Sequence, residues 1–191
     1  MTPDTLVFAS ANPNKLREMR EIIGDRYRIL GLADIGCHID IPETGATCRE
    51  NALIKARFVK EHYGLDCFAD DSGLEIAALG GQPGVRTARF AGPECSDDDN
   101  MALTLRLMKD VTDRSARFIT VIALIRGEEE MTFEGEMRGT IATERRGTGG
   151  FGYDQIFLPE GYDLTYAQIS EEEKNAISHR HRAVAQLLAY L

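Results

Sequence analysis

The chain has 191 residues, of which 43% are hydrophobic and 28% are charged, and its formal net charge is −9. This composition predicts one globular domain over residues 1–191 with a buried core. No segment has the apolar length of a membrane span or a signal peptide, so we expect a cytoplasmic protein without a membrane partner. The acidic balance argues against nucleic acid as a partner, but it allows a small phosphorylated ligand that needs only local cations.

The first part of the chain alternates between strand and helix patterns. Residues 5–10 are predicted to form a buried strand. Asn12 has the position of an N-cap and Pro13 that of a first helical residue, which predicts a helix ending at Gly24. A second strand is predicted over residues 27–32.

An acidic motif follows the next helix. Thr47 and Glu50 have the spacing of a capping box, and a short strand is predicted over residues 66–69. Asp70-Asp71-Ser72-Gly73 then reads as a turn that ends this strand. Adjacent carboxylates are costly to bury unless a metal ion, another cation or water relieves their repulsion. Taken alone, the motif favours a simple turn and a metal site equally.

The second half of the chain predicts a helix, a hairpin and a helical end. Asp97-Asp98-Asp99 open a helix predicted over residues 97–109, and we interpret them as a capping cluster and not as a metal site. Residues 116–126 are bulky on both faces, which predicts a central strand, and residues 131–138 alternate as its hairpin partner. A helical region over 170–190 ends the chain. These elements predict an α/β domain with a mixed sheet.

A glycine-rich segment, Gly147 to Gly152, matches the G-x-G-x-x-G pattern of dinucleotide-binding folds. The context does not fit, because residues 153–157 are predicted as a strand where that pattern requires a helix. We expect a flexible loop that approaches a ligand through its backbone, with Phe151 available to stack on a base. A dinucleotide-dependent oxidoreductase is the alternative that this pattern leaves open.

Two cationic motifs indicate an anionic ligand. Ser10 to Lys15 combines a strand end, a helix N-terminus and a lysine, although capping by Asn12 explains the motif as well. Arg180 falls either on the apolar stripe of the C-terminal helical region or in the first turn of a new helix after Ser178. Both geometries favour a protected site for Arg180, where an arginine either extends its charged end toward water or meets an anion.

Seven motifs, taken in order, resemble the inosine triphosphate pyrophosphatase family. The resemblance spans nearly the whole chain, with two departures: Gln155 stands where a proline is common, and His181 where a glycine is common. The motifs are SANPNK (Ser10–Lys15), ETG (Glu43–Gly45), ENALIKAR (Glu50–Arg57), ADDSGLEI (Ala69–Ile76), LGGQPGVRTARFAG (Leu79–Gly92), GTGGFGYDQIF (Gly147–Phe157) and EEKNAISHR (Glu172–Arg180).

The resemblance implies an elongated mixed β-sheet with flanking helices, two lobes around a central cleft, and a homodimer. It implies Mg²⁺-dependent hydrolysis of ITP, dITP and XTP to the monophosphate and pyrophosphate. Asp71 would be the proton acceptor and a Mg²⁺ ligand, and Glu43 would be the second metal carboxylate. Asp70 would tune the charge of Asp71 or support the metal from behind. The implied triphosphate contacts are Ser10, Ala11, Asn12, Pro13, Asn14, Lys15, Lys55, Ser72 and Lys174, and the implied base contacts are Phe151, Gly152, Tyr153, Asp154, His179 and Arg180.

Substrate selection follows from the chemistry of the purine. Hypoxanthine and xanthine carry a 6-keto acceptor where adenine carries an amino donor, so a donor such as Arg180 would be left unpaired by adenine. Guanine also has the keto group, and its rejection needs another element. A nucleotide-sensing protein without catalysis is a further alternative. The presence of Glu43, Asp70, Asp71 and Lys15 argues against it, because a protein that only binds could lose the carboxylates that activate water.

Overall fold

The computed structural model describes residues 4–191, which form two compact units. Unit 1 contains the chain up to Asp71, Thr120–Gly135 and Arg180–Leu191, and unit 2 contains Ser72–Ile119 and Glu136–His179. Over the described range, every helix is too short or too polar to cross a membrane. The single domain expected over 1–191 stays a prediction.

The elements alternate between strands and helices along the chain. The elements within residues 4–191 are β1 (Thr5–Phe8), α1 (Pro13–Ile23), β2 (Arg28–Leu30), α2 (Cys48–Tyr63), β3 (Cys67–Ile76), β4 (Pro83–Gly84), α3 (Asp97–Leu107), β5 (Ser115–Arg126), β6 (Glu129–Ile141), β7 (Phe157–Pro159), α4 (Glu171–Ile177) and α5 (His179–Tyr190). The strands pair in the order β2-β1-β3-β5-β6-β7, and β4 pairs with β3. β1 is parallel to β2 and β3, whereas the β3–β4 and β6–β7 pairs are antiparallel, so the predicted α/β class with a mixed sheet is confirmed.

Unit 1 has a hydrophobic core on each face of its strands. Val7 packs in one core with Val59 of α2, and Phe8 packs in the other with Met19 of α1 and Leu187 of α5. Consecutive residues of a strand point to opposite faces, so neighbouring side chains enter different cores. Burial on both faces explains why these strands read as continuous apolar runs.

Unit 2 has a core of its own. Leu74 of β3, Met101 of α3 and Phe118 of β5 are buried together. Phe118 meets the edge of Phe157, with ring centroids 4.7 Å apart. This core holds β3, α3 and the start of β7 together, and these elements position the unit 2 residues discussed below.

β3 differs from the sequence prediction. The segment Cys67–Ile76 is one strand, and Asp70, Asp71, Ser72 and Gly73 lie inside it, so the predicted turn was wrong. β4 pairs with the end of β3 through the Leu74–Gly84 and Glu75–Pro83 pairs. Local turn propensity was overridden here because pairing with β4 continues the strand beyond the acidic residues.

Two helix starts were predicted correctly, and one strand was not. Asn12 accepts the N–H groups of Asn14 and Lys15, as expected for an N-cap. α5 begins at His179, which confirms the alternative in which a new helix follows Ser178.

Residues 153–157 were predicted as a strand, but the chain turns there and β7 begins only at Phe157.

Candidate active site

Asp70 lies at the centre of a buried ion-pair cluster in unit 1. The side chain is fully buried, and the Lys15 Nζ atom lies 3.2 Å from Asp70 Oδ2. Arg180 Nε lies 3.5 Å from the same oxygen. Burial alone would raise the pKa of Asp70, but the charges of Lys15, Arg180 and Lys55 outweigh burial and hold the pKa well below its usual range. Asp70 is therefore ionised near neutral pH.

Asp71 has the opposite electrostatic environment. The residue is 7% exposed, and the Asn51 amide donates a hydrogen bond of 3.1 Å to its Oδ2 atom. Burial, together with the nearby charge of Glu43, raises the pKa of Asp71 to about 6, against the opposing effect of Lys55 and Lys15. A carboxylate with this pKa can accept a proton near neutral pH, as a general base must.

α2 supplies a bridge between the ETG motif and Asp71. Asn51 and Lys55 are four residues apart and share one face of this helix. The Asn51 Oδ1 atom accepts the Gly45 N–H at 2.7 Å, and Lys55 Nζ lies 3.6 Å from Glu43 Oε1. A Cβ atom at Gly45 would meet the Asn51 side chain at 2.7 Å, so the loop requires glycine there.

Asn51 was missed as a site residue in the sequence. It is fully buried and polar, and it donates to Asp71 while it accepts from Gly45. Its spacing of four residues from Lys55 was the available signal, because a polar residue on the same helix face as a predicted phosphate ligand is a candidate for the same site.

The Ser10–Lys15 segment forms the N-terminus of α1 and one wall of a cavity. The Asn12 carboxamide accepts the N–H groups of Asn14 and Lys15 at 3.0 and 3.3 Å, so the capping role is confirmed. Ser10 Oγ accepts the Asn12 N–H at 3.2 Å. The segment Ser10–Pro13 lines a cavity of about 490 Å³ together with residues 31–34 and 37–40.

Arg180 meets carboxylates, as an arginine on a core face must. Its guanidinium is buried and forms an ion pair with Glu18 of α1, in addition to its contact with Asp70. Glu18 is only 5% exposed and was not among the predicted residues. The expected contact of Arg180 with a purine base stays a prediction.

In unit 2, Lys174 and Asp154 close the glycine-rich loop. Lys174 Nζ lies 2.6 Å from Asp154 Oδ2, and both side chains are buried. The same Oδ2 atom accepts the Phe151 N–H at 3.1 Å, and Lys174 Nζ lies 4.6 Å from the centre of the Phe151 ring. Gly150 has a φ of +71°, and a Cβ atom there would collide with the Asp154 carboxylate. These contacts anchor the glycine-rich loop, which was expected to be flexible.

Two further predicted residues of unit 2 are also held in place. His179 stacks on Phe118 with ring centroids 4.8 Å apart, and the Tyr153 hydroxyl donates to the Thr87 carbonyl at 2.7 Å. The predicted residues thus divide between the two units. Unit 1 holds Ser10 to Lys15, Glu43, Lys55, Asp71 and Arg180, and unit 2 holds Ser72, Phe151 to Asp154, Lys174 and His179.

The donor chemistry of unit 1 fits Mg²⁺. Across residues 4–191, no group of three or more His, Cys, Asp or Glu side chains is arranged to hold a metal ion. Glu43 and Asp71 are two carboxylates close enough for the charge of one to raise the pKa of the other. Mg²⁺ is commonly held by one or two carboxylates, with water and substrate phosphates completing its shell. The carboxylates of Glu43 and Asp71 therefore fit a Mg²⁺ site whose other ligands would be water and substrate phosphates.

Comparisons with known proteins show the family of this chain. Residues 6–190 match the Ham1 family model. The chain is 52% identical to a dITP/XTP pyrophosphatase of Porphyromonas gingivalis, over 98% of this chain and 97% of that protein. It is 48% identical to a dITP/XTP pyrophosphatase of Mycobacterium tuberculosis, over 97% and 94%.

Solved structures give the same assignment. The Staphylococcus aureus Ham1 protein superposes with a TM-score of 0.88 at 39% identity, over 98% of this chain and 97% of that one. A HAM1 protein from Coxiella burnetii superposes with a TM-score of 0.89 at 42% identity, over 98% of both chains. The chain belongs to the Ham1 family.

Proposed function

We propose that this chain is a nucleoside triphosphate pyrophosphatase that uses Mg²⁺ to hydrolyse ITP, dITP and XTP to the monophosphate and pyrophosphate. Such an enzyme removes deaminated purines from the nucleotide pool. The observation that carries the proposal is Asp71, a buried carboxylate with a pKa of about 6 beside Glu43 and two lysines. Relatives that are about half identical and bear the name dITP/XTP pyrophosphatase support the substrate class.

Asp71 acts as the proton acceptor in this proposal. The Asn51 amide donates to one carboxylate oxygen, which fixes the orientation of the group and leaves the other oxygen available to an attacking water. Burial makes Asp71 more basic than an ordinary aspartate. The same group can therefore orient the water and take its proton near neutral pH.

The lysines of unit 1 stabilise the charge of the phosphates. Lys55 has a long contact of 3.6 Å with Glu43, so its three N–H donors are not all used by that carboxylate. Lys15 is held by Asp70 at the first turn of α1, which orders its side chain before substrate binds. Ordered cations stabilise the negative charge that develops on a pyrophosphate leaving group.

Glu43 and Asp71 are the residues that would hold Mg²⁺, which when bound offsets phosphate charge and favours deprotonation of a water. The proximity of the two carboxylates supports this assignment, because a divalent cation relieves the repulsion that raises the pKa of Asp71. Ser72, the next residue of β3, is proposed to contact the phosphates, as is Lys174.

Base recognition is proposed for Phe151, Gly152, Tyr153 and Asp154 together with His179 and Arg180. Phe151 is half-buried beside Lys174, which suits an aromatic ring that stacks on a base. Arg180 is a buried guanidinium held by Glu18 and Asp70, and it is proposed to donate to the 6-keto group of the base. The homodimer and the cytoplasmic location remain predictions.

One assay tests the proposal. The purified protein is incubated with ITP, dITP, XTP, dATP and dGTP in Mg²⁺, and released pyrophosphate and orthophosphate are measured separately. We expect pyrophosphate from the deaminated purines, little turnover of dATP, and loss of activity in EDTA and in Asp71→Asn. Release of orthophosphate, or binding of dITP without turnover, would contradict the assignment; the latter would favour the sensor.

A further inference from the structure

One buried asparagine links the two parts of unit 1 that carry the proposed Mg²⁺ carboxylates. Glu43 lies in the loop before α2, and Asp71 lies in β3. Asn51 of α2 accepts the Gly45 N–H at 2.7 Å through its Oδ1 atom, and its Nδ2 atom donates to Asp71 Oδ2 at 3.1 Å. A single carboxamide therefore joins the loop of Glu43 to the strand of Asp71.

Packing alone does not explain an asparagine at this position. Asn51 is fully buried, and both of these hydrogen bonds lead away from α2. A buried amide costs free energy unless its donor and acceptor atoms are paired, so an apolar side chain would fill the same space at lower cost. An amide oxygen accepts and an amide nitrogen donates, which matches an N–H group on one side and a carboxylate on the other.

The loop approaches α2 closely at Gly45. A Cβ atom at Gly45 would lie 2.6 Å from Glu50 Cβ and 2.7 Å from Asn51 Oδ1, so a larger residue could not make this approach. The next residue, Ala46, donates its N–H to Glu50 Oε2 at 2.6 Å. Two consecutive backbone N–H groups are thus held by α2, which restricts where the nearby Glu43 side chain can lie.

The two proposed metal carboxylates differ in how firmly they are held. Asp71 is buried and receives the Asn51 amide directly, whereas Glu43 is exposed and has a long contact of 3.6 Å with Lys55. Like charges repel, so a loop without a link to α2 would move Glu43 away from Asp71. Two ligands held in place lose less conformational entropy on binding an ion than two mobile ones.

We propose that Asn51 is a positioning residue that holds the Glu43 loop near Asp71 and thereby raises the affinity of unit 1 for Mg²⁺, an inference that rests on the proposed function. Asn51 acts through the Gly45 backbone and through Asp71, as hydrogen-bond partners of metal ligands do in other proteins. Loss of such a partner typically weakens metal binding about 10- to 100-fold.

The test measures ion binding in the absence of nucleotide. Mn²⁺, which takes the same oxygen ligands as Mg²⁺, is titrated into the wild type, Asn51→Ser and Asn51→Leu, and the EPR signal of free Mn²⁺ gives the Kd. Competition with Mg²⁺ gives the Kd of that ion. A serine hydroxyl is too short to reach both partners, and leucine has no polar atom. Both variants should raise both Kd values about 10- to 100-fold.

Asn100→Leu is the matched control. Asn100 is also a buried asparagine of a helix, and it donates to the Ala88 carbonyl at 3.2 Å and accepts the Ala91 N–H at 2.8 Å, but it belongs to unit 2. Its replacement should lower the unfolding midpoint, as Asn51→Leu does, and leave the Mn²⁺ Kd unchanged. Glu43→Gln removes a proposed ligand and should weaken Mn²⁺ binding more than Asn51→Ser, which identifies the titrated ion as the one at this site.

Kinetics give a second readout. In dITP hydrolysis, the Mg²⁺ concentration that gives the half-maximal rate should rise in the Asn51 variants by the same factor as the Kd. Saturating Mg²⁺ should restore most of the rate, because both carboxylates are then fixed by the ion. A purely structural defect would lower the rate at every Mg²⁺ concentration.

The inference is overturned if Asn51→Ser binds Mn²⁺ within about twofold of the wild type, or if Asn100→Leu weakens binding as much. It is also overturned if the wild type does not bind Mn²⁺, or if Glu43→Gln binds it as well as the wild type. Should Asn51→Leu fail to fold, Asn51→Ser decides. If the variants bind Mn²⁺ in the expected order but the wild type releases no pyrophosphate from any nucleotide, the proposed function fails and the role of Asn51 stands.

Discussion

Asp70 and Asp71 are consecutive residues of β3, yet their carboxylates point to opposite faces of the strand and their pKa values shift in opposite directions. Asp70 faces Lys15 and Arg180 and stays ionised, whereas Asp71 faces Asn51 and is partly protonated near pH 6. The Asp70 carboxylate thus holds Lys15 and Arg180 in place, whereas the Asp71 carboxylate has a pKa that suits proton transfer.

Asp71→Asn should stabilise the metal-free protein. The pKa of the Asp71 carboxyl is near 3.8 in the unfolded chain and about 6 in the fold, so the folded state binds more protons between these values and loses stability as pH rises through them. An amide avoids this loss, which is about 1 to 3 kcal/mol at pH 7. Urea unfolding in EDTA should show the gain at pH 7 and a much smaller gain at pH 4, and a loss of stability at pH 7 would show that burial does not penalise this charge.

Asp70→Asn is the matched comparison and should destabilise the protein. The pKa of Asp70 is lowered by its cations, so its contribution to stability is present above the unfolded pKa and is lost only as pH falls through the folded value. Removing one partner of a buried ion pair costs about 3 to 5 kcal/mol. The same urea experiment at pH 7 measures it; an unchanged midpoint would contradict the buried cluster.

The activity should fall with acidification below about pH 6. If Asp71 must be ionised to accept a proton, kcat/KM decreases about tenfold per pH unit below its pKa and is flat above it. Because a bound cation favours the ionised carboxylate, a higher Mg²⁺ concentration should move the inflection to lower pH. A pH–rate profile at two Mg²⁺ concentrations tests both statements, and an inflection insensitive to Mg²⁺ would argue against Asp71 as a metal ligand.

Gly150→Ala should be far more damaging than Gly152→Ala. Both glycines have positive φ, so an alanine is strained at each by about 1 to 2 kcal/mol. Only at Gly150 does a Cβ atom also meet Asp154, the partner of Lys174, whereas the space beside Gly152 is open. Thermal unfolding and the KM for dITP compare the two variants. Equal effects would mean that the close approach to Asp154 is unimportant.

Lys174 and Asp154 should show strong coupling in a double-mutant cycle. Lys174→Met leaves a buried carboxylate without its cation and should cost about 3 to 5 kcal/mol, whereas adding Asp154→Asn should recover about 2 kcal/mol or more. Denaturant unfolding of the four proteins gives the coupling. Additive effects would indicate that the 2.6 Å contact contributes nothing to the fold.

Local signals were sufficient for the helix starts but not for β3. Asn12 before Pro13 and Thr47 before α2 satisfy backbone donors within a few residues, so sequence alone predicts them as N-caps. Residues 70–73 have high turn propensity, and their strand conformation depends on β4, which lies in a later segment of the chain. Asn51 was missed for the same reason, because its partner Asp71 is twenty residues away.

The sequence by itself determined the α/β class and the family and marked Asp71 as a candidate site residue, because these are carried by periodicity and by ordered motifs. Only the tertiary structure decided in which direction the pKa of each aspartate shifts, which amide donates to Asp71 and which carboxylates Arg180 contacts. The physical reason is that a pKa and an ion pair depend on burial and on charges brought together from distant segments. A motif indicates candidate residues, but the fold sets their protonation.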